Sequence, residues 1–340
     1  MSLFPSWTLK TSGEIAPDER LPAGQTVALG LQHVVAMFGS TALAPILMGF
    51  DPNTAIFFSG IGTLLFFVMT GGRLPSYLGS SFAFIAVVIA ATGYSGSGPN
   101  PNIGVALGGI VACGALYAAI GLVVHLAGTA WIERLMPPVV TGAIVAAIGL
   151  NLAPVAVKSV SGSGFDTAIG LVTALAVGLV AVRAKGLPRR LPILIGAAFA
   201  YLLYLLLANG LGLAKPIDFA RLAGAAWIGL PNFTAPVFSA PAMVLIAPIA
   251  VILVAENLGH IKGIAAMTGR DYDPLIGRGF IADGLATMIS GMGGGTGVTT
   301  YAENMGVMAV TRIYSTLVFV AAALFAILLG FSPKFGALIL

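Results

Sequence analysis

Long runs of apolar residues, interrupted by short stretches rich in glycine, proline or charge, recur from residue 27 to residue 331. A helix that crosses a bilayer needs about 20 mostly apolar residues, whereas a transmembrane barrel strand alternates apolar and polar positions. The runs here are continuous, so the pattern predicts helices. Spans are expected near 27–48, 54–71, 78–93, 104–127, 138–157, 166–183, 191–213, 239–261, 278–292, 297–311 and 313–331, eleven in all. Residues 1–24, with Pro5, Glu14, Pro17 and the charged Asp18, Glu19 and Arg20, are too weakly apolar for a signal peptide and read as a polar tail. Residues 214–238, marked by Lys215, Asp218, Arg221, Pro231 and Pro236, form a long interruption near the middle of the architecture.

Composition places those helices in a membrane. Hydrophobic residues make up 58% of the chain and charged ones 8%, against a charged fraction of about 25% in soluble domains. The fold class is therefore all-α and polytopic. With a cytoplasmic N-terminus and alternating spans, twelve Lys and Arg fall on the inner side, Arg189 and Arg190 among them, and four on the outer, Lys158, Lys215, Arg221 and Lys334. This is the positive-inside bias of a multi-pass protein. It accounts for the net charge of +4 without nucleic acid, for which no aromatic-interleaved basic patch is present. The single cysteine, Cys113, can build neither a disulfide framework nor a metal cluster by itself and reads as apolar filler.

Two carboxylates stand within the apolar runs, Glu256 in VILVAENLGHIKG and Glu303 in GTGVTTYAENMGVMAVTR. A charge at bilayer depth costs roughly 2.5–3.5 kcal/mol on insertion scales, so these two are expected to face a protein interior or a watery cavity. They are the leading functional candidates, with the structural alternative that either is an interhelical hydrogen-bonding group. His260 follows Glu256 at i+4, on the same helical face. A desolvated glutamate can load a proton from one side and release it to the other as its hydration changes, which suits coupled transport.

Spans three and ten begin with small, hydroxyl-bearing and glycine residues that make poor helix. Broken helices at matching positions of two halves mark the substrate site of inverted-repeat transporters. The spacing agrees: Gln32 precedes Phe82 by 50 residues and Glu256 precedes Glu303 by 47. About seven spans per half, an odd number, would turn the second half upside down relative to the first.

The pair Gln32 and His33, the stretch LPSYLGSSFAFI at 74–85, AENLGH at 255–260 and the motif Glu303-Asn304-Met305-Gly306 followed after four residues by Thr311-Arg312 resemble the nucleobase–ascorbate transporter family, also called nucleobase:cation symporter-2. Within it the chain is most similar to bacterial uracil permeases and to pyrimidine-utilisation permeases. The resemblance implies a fourteen-span fold of two inverted seven-span repeats. By that pattern residues 1–26 are the cytoplasmic tail and 27–135 the core spans one to four. Residues 136–213 are then gate spans five to seven, 214–238 the extracytoplasmic connection and 239–331 core spans eight to eleven. Residues 332–340 begin the second half of the gate, so the chain is expected to be a fragment of the full fold.

The resemblance also implies the activity, import of uracil by proton symport with alternating access, the proton being the coupling ion and no cofactor being required. It implies that Glu256, Glu303, Phe82 and Tyr301 contact the base, that Ala302 offers its backbone where a uracil permease carries glycine, and that His260 joins Glu256 in proton linkage. Asn257 stands where the uracil permease has a second histidine. Expected partners are the nucleobase, membrane lipid and a second copy in a homodimer. The alternative within the family is a purine permease for xanthine or urate. Less favoured alternatives are a channel, which would need rings of pore-lining groups where two non-identical broken helices suit an occluded site, and an intramembrane enzyme. For the enzyme, no nucleophile–base set and no HExxH motif is present, and the glycine run at 291–297 is not followed by the Lys-Ser/Thr of a phosphate loop. His33, His125 and Asp283 are left between structural and functional readings.

Overall fold

The computed structural model describes residues 4–96, 98–185 and 192–339. Arg189, Arg190 and the expected first residue of span seven lie outside them. The chain forms fifteen α-helices among these residues: α1 (Ala23–Met48), α2 (Pro52–Met69), α3 (Ala83–Thr92), α4 (Ile103–Ala127), α5 (Ala130–Leu135), α6 (Pro138–Val160), α7 (Gly164–Arg183), α8 (Pro192–Leu205), α9 (Ala220–Gly224), α10 (Ala240–Ile246), α11 (Ile249–Thr268), α12 (Asp273–Gly293), α13 (Ala302–Thr311), α14 (Thr316–Gly330) and α15 (Pro333–Ile339). A π-turn, Leu206–Gly210, extends α8. Six stretches among the described residues are long and apolar enough to cross a membrane, including α1, α2, α4, α7 and the α10–α11 pair. The protein is a multi-pass membrane protein.

Local chemistry sets the helix ends. Asp51 caps α2 by accepting from Asn53 N–H, and Pro52 supplies the fixed φ of a first helical position. Ser163 caps α7 through Asp166 N–H. The run expected as one span at 239–261 bends into α10 and α11 at Pro248, which has no N–H to give to a continuing helix.

Spans three and ten start as strand, not helix. β3 (Leu78–Ser80) and β4 (Val298–Thr300) pair antiparallel, with Leu78 opposite Thr300 and Ser80 opposite Val298. Ser81 N–H to Gly297 O at 2.9 Å and Tyr301 N–H to Tyr77 O at 3.0 Å prolong the ladder at its two ends. The backbone groups that poor helix formers would have left free are thereby satisfied by the opposite half of the chain. A matched pair of threonines anchors the strands: Thr63 of α2 accepts from Leu78 N–H at 2.9 Å, and Thr287 of α12 accepts from Val298 N–H at 3.2 Å. Helix packing repeats the exchange, α4 against α12 and α2 against α14. The first of these is backbone on backbone. A Cβ at Gly284 would lie 2.4 Å from Ala118 N and 2.7 Å from Gly114 O, so only glycine lets α4 and α12 approach this closely.

The chain divides into two compact units, Met1–Ile148 with Ala226–Leu340, and Gly149–Ala225. In the smaller, α7 packs on α8, with the Phe165 and Tyr204 rings edge to face at 5.6 Å. In the larger, the polar tail is a folded strap and not a loose end. A short parallel pair, β1 (Thr8–Leu9) with β2 (Glu19–Arg20), shapes it. Ile15 N–H donates to Arg312 O, Tyr314 N–H to Ile15 O and Thr316 N–H to Pro17 O, tying the strap to the junction between α13 and α14. Asp18 reaches Arg270 at 2.6 Å.

Candidate functional site

The strand crossing brings both glutamates and most of the sequence-predicted site residues into the larger unit. Because β3 and β4 run antiparallel, α3 and α13 leave opposite ends of the ladder, and each begins with N–H groups that have no partner within its own helix. Phe82 immediately precedes α3 and is half-buried. Tyr301 immediately precedes α13, and exposed Ala302 and half-buried Glu303 are its first residues. A carboxylate in the first turn is favoured by the helix dipole.

Glu256 projects from α11, and its Oε2 is buried with no hydrogen-bond partner among the described residues. α11 packs against α3, β4 and α13, the helix that carries Glu303. Glu303 is held from a quarter that the sequence did not reveal: Ser40 of α1 donates its hydroxyl to Oε1. A buried acceptor without a donor costs about 1–3 kcal/mol.

Tyr301 is arranged differently from a residue that offers its hydroxyl to a ligand. Its O–H donates to Ser80 O at 2.7 Å and accepts from Thr41 at 3.1 Å. Its ring lies over Gly79, where an added Cβ would fall 2.6 Å from the ring carbon bearing the hydroxyl. The hydroxyl therefore stitches β3 to α1. His260 Nδ1 contacts Thr300 Oγ1 at 2.8 Å, at the end of β4.

Three residues of open reading acquire surroundings. His33 is buried, its ring 4.6 Å from that of Phe319, and Asn304 of the Glu303 motif contacts its Nδ1 at 3.0 Å and its carbonyl at 3.1 Å. Asp283 is fully buried and accepts from Asn257, which the sequence marked only as the absence of a second histidine. His125 is exposed near the end of α4. The sequence missed Ser40, Thr41, Thr63, Thr287 and Thr300, and the one signal available was a hydroxyl residue within an apolar run. Among the described residues no three His, Cys, Asp or Glu side chains converge to hold a metal ion.

Residues 24–340 match the Permease family (Xan_ur_permease). The chain is 66% identical over 340 residues to "Putative pyrimidine permease RutG" of Escherichia coli (strain K12), covering 99% of this chain and 77% of that protein. It is 42% identical over 341 residues to the uracil permease of the same organism, covering 97% of this chain and 76% of that one. In fold it is similar to the transmembrane domain of a cyanobacterium bicarbonate transporter, BicA, with a TM-score of 0.63 over 92% of this chain and 86% of that one, at 14% identity.

Proposed function

Because this chain belongs to the Permease family, whose match runs over residues 24–340, we propose that it is a carrier of a pyrimidine nucleobase, uracil, and that it imports the base by proton symport with alternating access. Uracil is a flat neutral ring with two N–H donors and two carbonyl acceptors. A site for it needs acceptors for the first, donors for the second and an apolar face for the ring. The observation that carries the reading is the unpartnered, buried Oε2 of Glu256 on α11, a helix that packs against α3, α13 and the strand crossing at β4.

In this reading Glu256 and Glu303 accept from the ring N–H groups, the first N–H groups of α13 at Ala302 and Glu303 meet a carbonyl, and Phe82 and the Tyr301 ring cover its face. Glu256 and His260 carry the coupled proton. Residues 27–135 and 239–331 are the core that holds the base, 136–213 belong to a gate, and 332–340 lead into the gate's second part. The N-terminus lies in the cytoplasm of a bacterial cell, with 214–238 outside the inner membrane. The named activities of the relatives support the nucleobase, and the carboxylates of Glu256 and Glu303 within the apolar runs support the proton.

Counterflow in proteoliposomes tests this. Unlabelled uracil inside the vesicles is expected to accelerate entry of labelled uracil, and xanthine is not. Equal acceleration by xanthine would overturn the pyrimidine selectivity, and no acceleration by either would contradict a carrier of uracil.

A further inference from the structure

Asp283, midway along α12, accepts through Oδ2 from the side-chain amide of Asn257 on α11. A second contact of the same nitrogen goes to the Tyr117 hydroxyl at 2.8 Å. On the other side of the amide, Thr300 Oγ1 lies 3.1 Å from Asn257 Oδ1 and 2.8 Å from His260 Nδ1. Asp283, Asn257 and Thr300 are all at most 1% exposed. Four side chains from α12, α11 and β4 thus form one hydrogen-bonded chain that ends on His260.

Donor counting gives this chain a direction. The Asn257 amide nitrogen donates to Asp283 Oδ2, and the Thr300 hydroxyl donates to Asn257 Oδ1. Asp283 therefore takes the NH2 of Asn257 and turns its carbonyl oxygen towards Thr300. That oxygen cannot donate, so the single hydroxyl proton of Thr300 is committed to it. Oγ1 then has only lone pairs to offer His260, and the 2.8 Å contact is a hydrogen bond when Nδ1 carries the proton. With the amide reversed, Oδ1 would face the Asp283 carboxylate and every donor would run the other way.

We infer that the chain Asp283–Asn257–Thr300 fixes neutral His260 as its Nδ1–H tautomer, leaving Nε2 as the ring's proton acceptor. The importance of this for transport rests on the proposed coupling role of His260: Nε2 is then the atom that takes up the coupled proton. Asn257, Thr300 and Asp283 act as positioning residues, and Asp283 has a task although it is remote from the ring it orients.

Nitrogen-15 spectra of histidine-labelled full-length chain, taken where the imidazole is neutral, read the tautomer directly. Within residues 1–340 the histidines are His33, His125 and His260, and the signals lost in His260→Gln assign the third. A protonated-type Nδ1 and an unprotonated-type Nε2 are expected. Thr300→Val keeps the branched shape of a strand residue but removes the acceptor, so an Nε2–H population should appear, and Thr300→Ser should restore the native pattern. A wild-type ring protonated on Nε2, a ring carrying both protons at neutral pH, or an unchanged Thr300→Val spectrum would overturn the assignment. The wild-type spectrum decides the first two even if a variant fails to fold. Full uphill uracil uptake by His260→Gln would remove the coupling role while leaving the tautomer result standing.

Discussion

Glu256 and Glu303 announce themselves in the sequence because a charge in an apolar run is costly and therefore rare. What surrounds them does not. Ser40 meets Glu303 across 263 residues, and Thr41 meets Tyr301 across 260, so no local pattern could link them. The same limit hid the use of the Tyr301 hydroxyl, which is occupied by Ser80 O and Thr41 and so separates the ring's availability from that of its oxygen. For Glu256 the residue-scale prediction is sharp. An amide keeps a carbonyl acceptor but cannot gain and lose a proton, so Glu256→Gln should retain uracil exchange between equal pools and lose accumulation against a gradient. Uphill uptake at the wild-type level in a pH-gradient assay would remove Glu256 from coupling.

Element boundaries were legible where capping chemistry is local, as at Asp51 and Pro52, and the eleven expected runs correspond to helices or to strand–helix pairs. Spans three and ten were legible as irregular, because glycine and hydroxyl residues make poor helix, but their pairing was not. A three-residue strand has no periodicity to read, and its partner lies more than 200 residues away. Close helix contact was also hidden among 45 glycines, since only the packed partner shows which ones matter. Gly284 is one that does: with Ala118 N and Gly114 O at 2.4 and 2.7 Å from a modest Cβ, Gly284→Ala must push α4 and α12 apart. Overpacking of this kind costs about 1–3 kcal/mol. Gly178 in α7 has open space around it, and its change to Ala should be neutral or slightly stabilising, as helix propensity favours Ala by about 1 kcal/mol. Thermal unfolding in detergent compares the two, and equal midpoints would contradict the backbone-on-backbone contact.

At the scale of the whole molecule the inverted repeat was read from spacing, and the structure expresses it as exchanged packing, α4 on α12 and α2 on α14, about a shared two-strand crossing. The strap was not foreseen, because its polar residues resemble those of a loose tail. Two of its carboxylates, Asp18 and Glu19, have partners. The Ala16 N–H and Lys10 hold Glu19 below the usual carboxylate range. Burial pushes Asp18 up, but its bond to Arg270 and the attached charge outweigh this and leave it below that range. A carboxylate held low in the folded state contributes stability above its unfolded value, and that contribution is lost as pH falls through the lowered folded value. Protease sensitivity of residues 8–20 should therefore rise on acidification below about pH 4, less so in Asp18→Asn, and a pH-independent cleavage rate would contradict the ion-pair role. The central claim, that a pyrimidine base is held between Glu256 and Glu303, is tested most directly by ligand-dependent thermal stabilisation of the purified protein. Uracil at a hundredfold excess over its dissociation constant should stabilise the wild type by about 2.7 kcal/mol. Xanthine should leave it unmoved, and Glu303→Ala should lose the uracil response; a wild type indifferent to uracil, or an undiminished response in Glu303→Ala, would contradict the account.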